Sequence, residues 1–131
     1  MSFGPLLAAP LAVQVHAFAA LAAVVLGVVQ FAAPKGTVPH RALGWFWAGL
    51  MVVVAGSSFL ITGVAGEGRF SWIHGLSVVT LVSVPLAVWA AMRGRVATHR
   101  ISMMSVFGLA LVLTGLFTLL PGRIMHRVVF G

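Results

Sequence analysis

The chain has 131 residues, enough for one domain, and 61% of them are hydrophobic while only 7% are charged. Soluble domains carry roughly 25% charged residues, so an ordinary soluble protein is excluded. The formal net charge of +7 would suggest nucleic acid in a soluble chain. Here the cations sit at the ends of apolar segments, where they set topology and meet lipid phosphates, so the expected partner is lipid and no nucleic acid.

A bilayer core needs about 20 apolar residues per helix, and four segments qualify: 11–33, 41–64, 71–92 and 99–120. The first is too long, and too free of preceding positive charge, for a signal peptide, and is read as a retained helix. The first loop is Pro34-Lys35-Gly36-Thr37-Val38-Pro39, with Pro39 placed as at a helix start before His40. Gly66-Glu67-Gly68-Arg69 forms the second loop. The third segment contains Pro85, expected to kink it, which membrane helices tolerate. Arg93-Gly94-Arg95-Val96-Ala97 forms the third loop, and Thr98 is the expected N-cap of the fourth helix. Pro121-Gly122 ends that helix. Trp45, Trp47 and Trp72 near helix starts, and Trp89 near a helix end, read as interfacial aromatic belts.

The expected fold is all-α: a polytopic membrane protein, residues 1–131 forming a single transmembrane domain, an antiparallel four-helix bundle built from two hairpin repeats. The first and third loops hold Lys35, Arg41, Arg93, Arg95 and Arg100, against Arg69, Arg123 and Arg127 elsewhere. The positive-inside rule then places both termini outside. Lys35-Gly36-Thr37-Val38-Pro39-His40-Arg41 echoes Arg93-Gly94-Arg95-Val96-Ala97-Thr98-His99-Arg100. The spacing from His16 to His74 matches that from His40 to His99 to within one residue. Parallel repeats are related by an axis along the membrane normal. Such an axis sets helix 1 across from helix 3 and helix 2 across from helix 4, so that each histidine pair straddles the bundle.

These histidines are the candidate chemistry. No cysteine is present, which removes iron–sulfur clusters and thiolate metal sites. The single acidic residue, Glu67, falls in a loop, so no carboxylate is available for a proton pump in the bilayer. Neutral imidazole is a good haem-iron ligand. His16 with His74 would hold an outer haem b and His40 with His99 an inner one, giving one or two haems and electron transfer across the membrane. Arg41 and Arg100, and Arg69 and Arg123, are the expected propionate partners of the two sites. Small neighbours accompany the ligands: Ala20, Ala23 and Gly27 follow His16, and Gly44 and Ala48 follow His40. For that stripe alone, close helix packing is the favoured reading. Ser77 and Ser102 each lie one turn beyond a histidine and are expected to hydrogen-bond near it.

Two other readings compete. One is a copper or zinc site at the outer face from His16, His74 and His126, with Met125 suited to copper. The other is a cofactor-free accessory subunit of a larger membrane complex, with the histidines structural. His126, beyond Pro121, is read as an interfacial anchor. If the chain is an enzyme, it is a haem-dependent membrane oxidoreductase, since no nucleophile–base pair is present.

Lys35-Gly36-Thr37, His40-Arg41 and Leu43-Gly44, then Phe70-Ser71-Trp72-Ile73-His74, His99-Arg100, and the closing Gly115-Leu116-Phe117-Thr118-Leu119-Leu120-Pro121-Gly122-Arg123 with His126-Arg127, together resemble the DUF2306 family of predicted bacterial membrane proteins. That resemblance implies a bacterial inner membrane and no specific activity. The histidine constellation more loosely resembles the cytochrome b561 superfamily. This implies a four-helix core with two b-type haems, ligands paired between first and third and between second and fourth helices. A quinol or other small reductant, and a homodimer or larger complex, are the partners it leads one to expect.

Overall fold

The computed structural model describes residues 1–61 and 72–131. The second loop, with Glu67 and Arg69, and the end expected for the second segment lie outside the described residues. Among the described residues the chain is helical, without strands: α1 (Gly4–Leu7), α2 (Leu11–Ala32), α3 (Val38–Ser58), α4 (Trp72–Met92) and α5 (Val96–Val106). A π-helical segment (Phe107–Leu113), α6 (Thr114–Phe117) and α7 (Ile124–Phe130) follow. Four helices are long and apolar enough to cross a membrane: Leu11–Ala32, Val38–Ser58, Trp72–Met92 and the continuous Val96–Phe117. Much of their outer surface is exposed Val, Leu, Phe and Trp. In water such a surface would be an aggregation liability; in lipid it is the solvent-facing side.

The long helices pack in sequence, α2 on α3, α3 on α4 and α4 on α5, and the π-helical segment returns to α2. Between α2 and α3, side chains of His16, Trp47 and Gln30 reach across to the backbone of Val54, Ala23 and His40. Hydrophobicity does not drive helices together in lipid, so van der Waals fit and buried hydrogen bonds must do so. The core answers with Ala23, Trp47, Ala48, Met51, Val84, Val106 and Leu111. The stripe on α2 is a packing surface. Ala23 is fully buried, and a Cβ on Gly27 would collide with the Phe107 ring and come within 3.3 Å of Trp47 Nε1.

Trp47 is not a belt residue. Its ring is buried and its Nε1–H donates to Ala23 O at 2.9 Å, because the indole fills the space left by Ala23 and Gly27. Trp45, Trp72 and Trp89 are exposed.

Helix starts differ from the sequence reading at two points. Thr37, not Pro39 alone, sets the start of α3: its hydroxyl accepts from His40 N while Pro39 occupies the first turn. The last spanning helix begins at Val96, so Thr98 lies inside it and caps nothing. The reason lies at the end of α4. Arg95 N donates to Ala90 O at 2.8 Å and Gly94 N to Ala91 O at 3.1 Å, with Gly94 at φ 75°. This Schellman closure turns the chain within three residues and leaves no loop for Thr98 to occupy. Pro85 is accommodated inside an unbroken α4.

Two short helices escaped the sequence reading. α1 and α7 pack on each other, with Ser2 N donating to Val128 O at 2.9 Å and Leu6 and Val128 buried between them. The π-helical turn was also missed. It begins at Phe107, whose ring sits against Gly27 and edge-on to Phe31, centroids 5.1 Å apart. Thr114 Oγ1 donates back to Ala110 O within it. Wider turns of this kind recur at functional sites; here the turn lets Phe107 meet the one position on α2 that lacks a Cβ.

Candidate functional site: two tiers of histidine

The histidines fall into two tiers at opposite poles of the bundle. At one pole are His16 at the start of α2, His74 at the start of α4 and His126 on α7. At the other are His40 in the first turn of α3 and His99 in that of α5.

A carbonyl oxygen can only accept, so each imidazole–carbonyl contact fixes which ring nitrogen carries the proton. His16 Nδ1 lies 2.8 Å from Val54 O and 3.0 Å from Ser57 Oγ. His99 Nδ1 lies 2.8 Å from Ala87 O, and His126 Nδ1 lies 2.7 Å from Leu119 O. These three rings therefore donate through Nδ1–H; in the neutral tautomer Nε2 carries the lone pair. His74 is the reverse, with Nε2 donating to Ile61 O at 2.9 Å; the ring is buried against Phe59, centroids 5.9 Å apart. His40 stands alone: its Nδ1 is buried without a hydrogen-bond partner, and it lies within electrostatic reach of Lys35 and His99. Gln30 holds the His40 carbonyl through Nε2 at 2.6 Å, while Gln30 Oε1 is buried and unpartnered beside it.

Other expected contacts resolve differently. Ser77 bonds Ser58 Oγ and Ile73 O, not His74, because α3 brings Ser58 to its side. Ser102 has no hydrogen bond to His99; it lines a crevice between α4 and α5 with Thr80, Ser83 and Ser105. Among the described residues no three of His, Cys, Asp or Glu gather into a metal-sized group, so His16, His74 and His126 are not brought together as a triad. His126 packs on Phe130, centroids 4.9 Å apart, and ties α7 to the end of the last span.

Of the basic side chains, Lys35 is committed. Its Nζ donates to Gln30 O, Phe31 O and Ala33 O at 2.6–2.8 Å, closing the orphan carbonyls at the end of α2. Arg123 lies over the Phe117 ring at 4.7 Å. Arg41 and Arg100 are exposed at the His40–His99 pole, while Arg69 is outside the described residues.

An axial haem ligand needs one imidazole nitrogen for iron and its other N–H held by a hydrogen bond. His99 has its Nδ1–H held by Ala87 O and His40 brings a ring with neither nitrogen bonded to a described residue, so in donor chemistry the two rings suit the group. At the other pole His16 meets the hydrogen-bond condition through Nδ1–H and His74 through Nε2–H. Between the tiers, Trp47 and Met51 are buried in the core.

No family model, curated protein or solved structure matches this chain.

Proposed function

We propose that this is a membrane electron-transfer protein: an antiparallel four-helix bundle that holds b-type haem through paired histidines. His40 and His99 form the primary site and His16 and His74 a second. One observation carries the reading: the unpartnered, buried Nδ1 of His40, set near a His99 whose own Nδ1–H is anchored. Burying a polar nitrogen without a partner costs about 1–3 kcal/mol, a cost that ligation would offset. Haem bound there would accept and release single electrons. Ala87 O orients the His99 ring, Gln30 and the Thr37 cap hold the His40 backbone, and Arg41 and Arg100 are available to carboxylates at the exposed rim. The looser resemblance to the cytochrome b561 superfamily motivates the same reading, with a quinol or other small reductant as the proposed donor.

The test is a reduced-minus-oxidised absorption spectrum of the purified protein, with haem quantified per chain, for wild type and for single His→Ala variants. A b-type spectrum lost in both His40→Ala and His99→Ala supports the primary site. Porphyrin-free protein from haem-replete cells, with no haem taken up on reconstitution, would sink it.

A second reading rests on a different observation. Four of the five histidines tie one helix to the backbone of a neighbour: His16 to α3, His74 to the residue following α3's terminal turn, His99 to α4, and His126 to the end of the last span. That is the pattern of a cofactor-free accessory subunit whose imidazoles fasten the bundle. It predicts loss of stability, and no loss of colour, in the same variants.

A further inference from the structure

A groove of about 410 Å³ runs between α3 and α4 on the outer surface of the bundle. Its floor is Gly49, where a Cβ would meet nothing within 4 Å. Its walls include Trp45, Val52, Pro85 and Trp89. From Trp45 to Val52 is two helical turns, roughly 10 Å along the axis. The groove ends at Met92, the last residue of α4, directly before the Arg93-Gly94-Arg95 turn.

Just beyond that end, two guanidiniums meet the ring of Trp89, which also lines the groove. The Arg93 guanidinium lies 5.2 Å and the Arg95 guanidinium 5.6 Å from the centroid of the same Trp89 ring. The Schellman closure puts them there: Arg93 and Arg95 flank Gly94, and its positive φ, with Gly94 N donating to Ala91 O and Arg95 N to Ala90 O, fixes the turn. No acidic side chain occurs among the described residues, the single one being Glu67. The contrast with Lys35, whose ammonium is satisfied by three carbonyls, is plain. An aromatic face attracts each guanidinium, and with no carboxylate beside them among the described residues both are free to attract an anion at this turn. An apolar slot opening onto two uncompensated arginines at a membrane surface is complementary to a molecule with an anionic head and an apolar tail.

We propose that this groove binds an anionic phospholipid, its phosphate on Arg93 and Arg95 and one acyl chain laid along Trp45, Gly49, Val52 and Pro85. Basic pockets between spanning helices recognise anionic head groups in this way. The site is independent of the histidines, so it stands whether or not haem is held.

The experiment uses the full chain in nanodiscs of zwitterionic lipid, with tryptophan emission as readout. Phosphatidylglycerol carrying brominated acyl chains is titrated in, against brominated phosphatidylcholine as the neutral arm and inorganic phosphate as the chain-free arm. The expected result is quenching by the anionic lipid at lower mole fraction, by about fivefold for each arginine engaged. The double variant R93Q/R95Q should bring it to the level of the neutral lipid, and Gly49→Leu should weaken quenching by filling the slot while helicity is kept. Equal quenching by the two lipids overturns the proposal, as does a preference that survives R93Q/R95Q. Inorganic phosphate that displaces the lipid as well as unbrominated phosphatidylglycerol does would reduce the site to an anion site and overturn the acyl-chain part. A second copy seated in the groove would show as self-association lost in Gly49→Leu, with no lipid preference, and would also overturn it.

Discussion

The two poles of the bundle differ in one histidine: His40 is the ring without a hydrogen bond, while His16, His74 and His99 each hold a carbonyl. At the His16–His74 pole the imidazoles are knitted into the fold: His16 bonds Val54 and Ser57, His74 bonds Ile61, and Ser58 pairs with Ser77 between them. Two short helices close over the same end, α1 against α7, with Gln14 Nε2 holding the carbonyls of Leu7 and Ala9. The His40–His99 pole has Gln30 Oε1 and His40 Nδ1 buried with no partner. At this pole His99 is fastened to Ala87 O and Gln30 Nε2 to His40 O, and among the described residues the buried unpaired side-chain atoms are Gln30 Oε1 and His40 Nδ1 alone. Buried unsatisfied groups are few in native proteins, and each asks for an explanation.

The hardest way to break this comparison is to break the frame that holds the poles apart. Gly27→Val should do so, because the new side chain meets the Phe107 ring and Trp47 Nε1 at once. Overpacking of this kind costs about 1–3 kcal/mol, and loss of the Trp47–Ala23 bond would add to it. The check is a denaturation midpoint in mild detergent, where Gly27→Val should fall furthest of the variants considered. A midpoint equal to wild type would mean that the π-helical turn does not press Phe107 onto α2.

The comparison is sharpened by deleting one imidazole from each pole. His16→Ala removes the imidazole bonds to Val54 O and Ser57 Oγ, leaving only the bond between those two, and should cost about 0.5–1.5 kcal/mol for each bond lost. His40→Leu removes a buried nitrogen that has no partner, and in haem-free protein should change stability by about 0.5 kcal/mol or less, or raise it. The same His40→Leu should abolish haem uptake at that pole. A large destabilisation by His40→Leu without haem would show that the ring is structural, and would favour the accessory-subunit reading.

Much of the frame was readable from composition. The apolar runs located all four spans, because a bilayer demands length and hydrophobicity and little else. Their ends were less readable, since a membrane helix runs on into its polar loop until something stops it. At α4 that stop is Gly94 in its positive-φ turn, and it moved the next helix start from the expected 99 to Val96. Thr37 before Val38-Pro39 is a cap signal in the sequence as legible as the proline. α1 and α7, four and seven residues long, are too short to show a period and are stable only against each other. For the site, spacing suggested two tiers of histidine, but the nitrogen each ring commits is set by carbonyls on a neighbouring helix or a distant turn. Trp47 illustrates the same limit. Its position near a helix start suggested a belt, and only the Ala23 carbonyl and the missing Cβ of Gly27 draw it inward.

The smallest expected effect tests how the His40 ring is positioned. Thr37 accepts from His40 N at 3.2 Å and so fixes the first turn of α3, in which the His40 ring is carried. Thr37→Ala should cost about 1 kcal/mol, the usual value of an N-cap, too little to unfold a bundle whose core lies two to three turns away. Its effect on the imidazole should be larger than its effect on the fold, because fraying the first turn frees the His40 backbone from both Thr37 and Gln30. In haem-loaded protein, Thr37→Ala should therefore speed haem loss while shifting the denaturation midpoint of haem-free protein only slightly, and Thr37→Ser should restore both. If haem loss is unchanged while stability falls, the cap serves the helix alone and the His40 ring is positioned by its neighbours on α2 and α5.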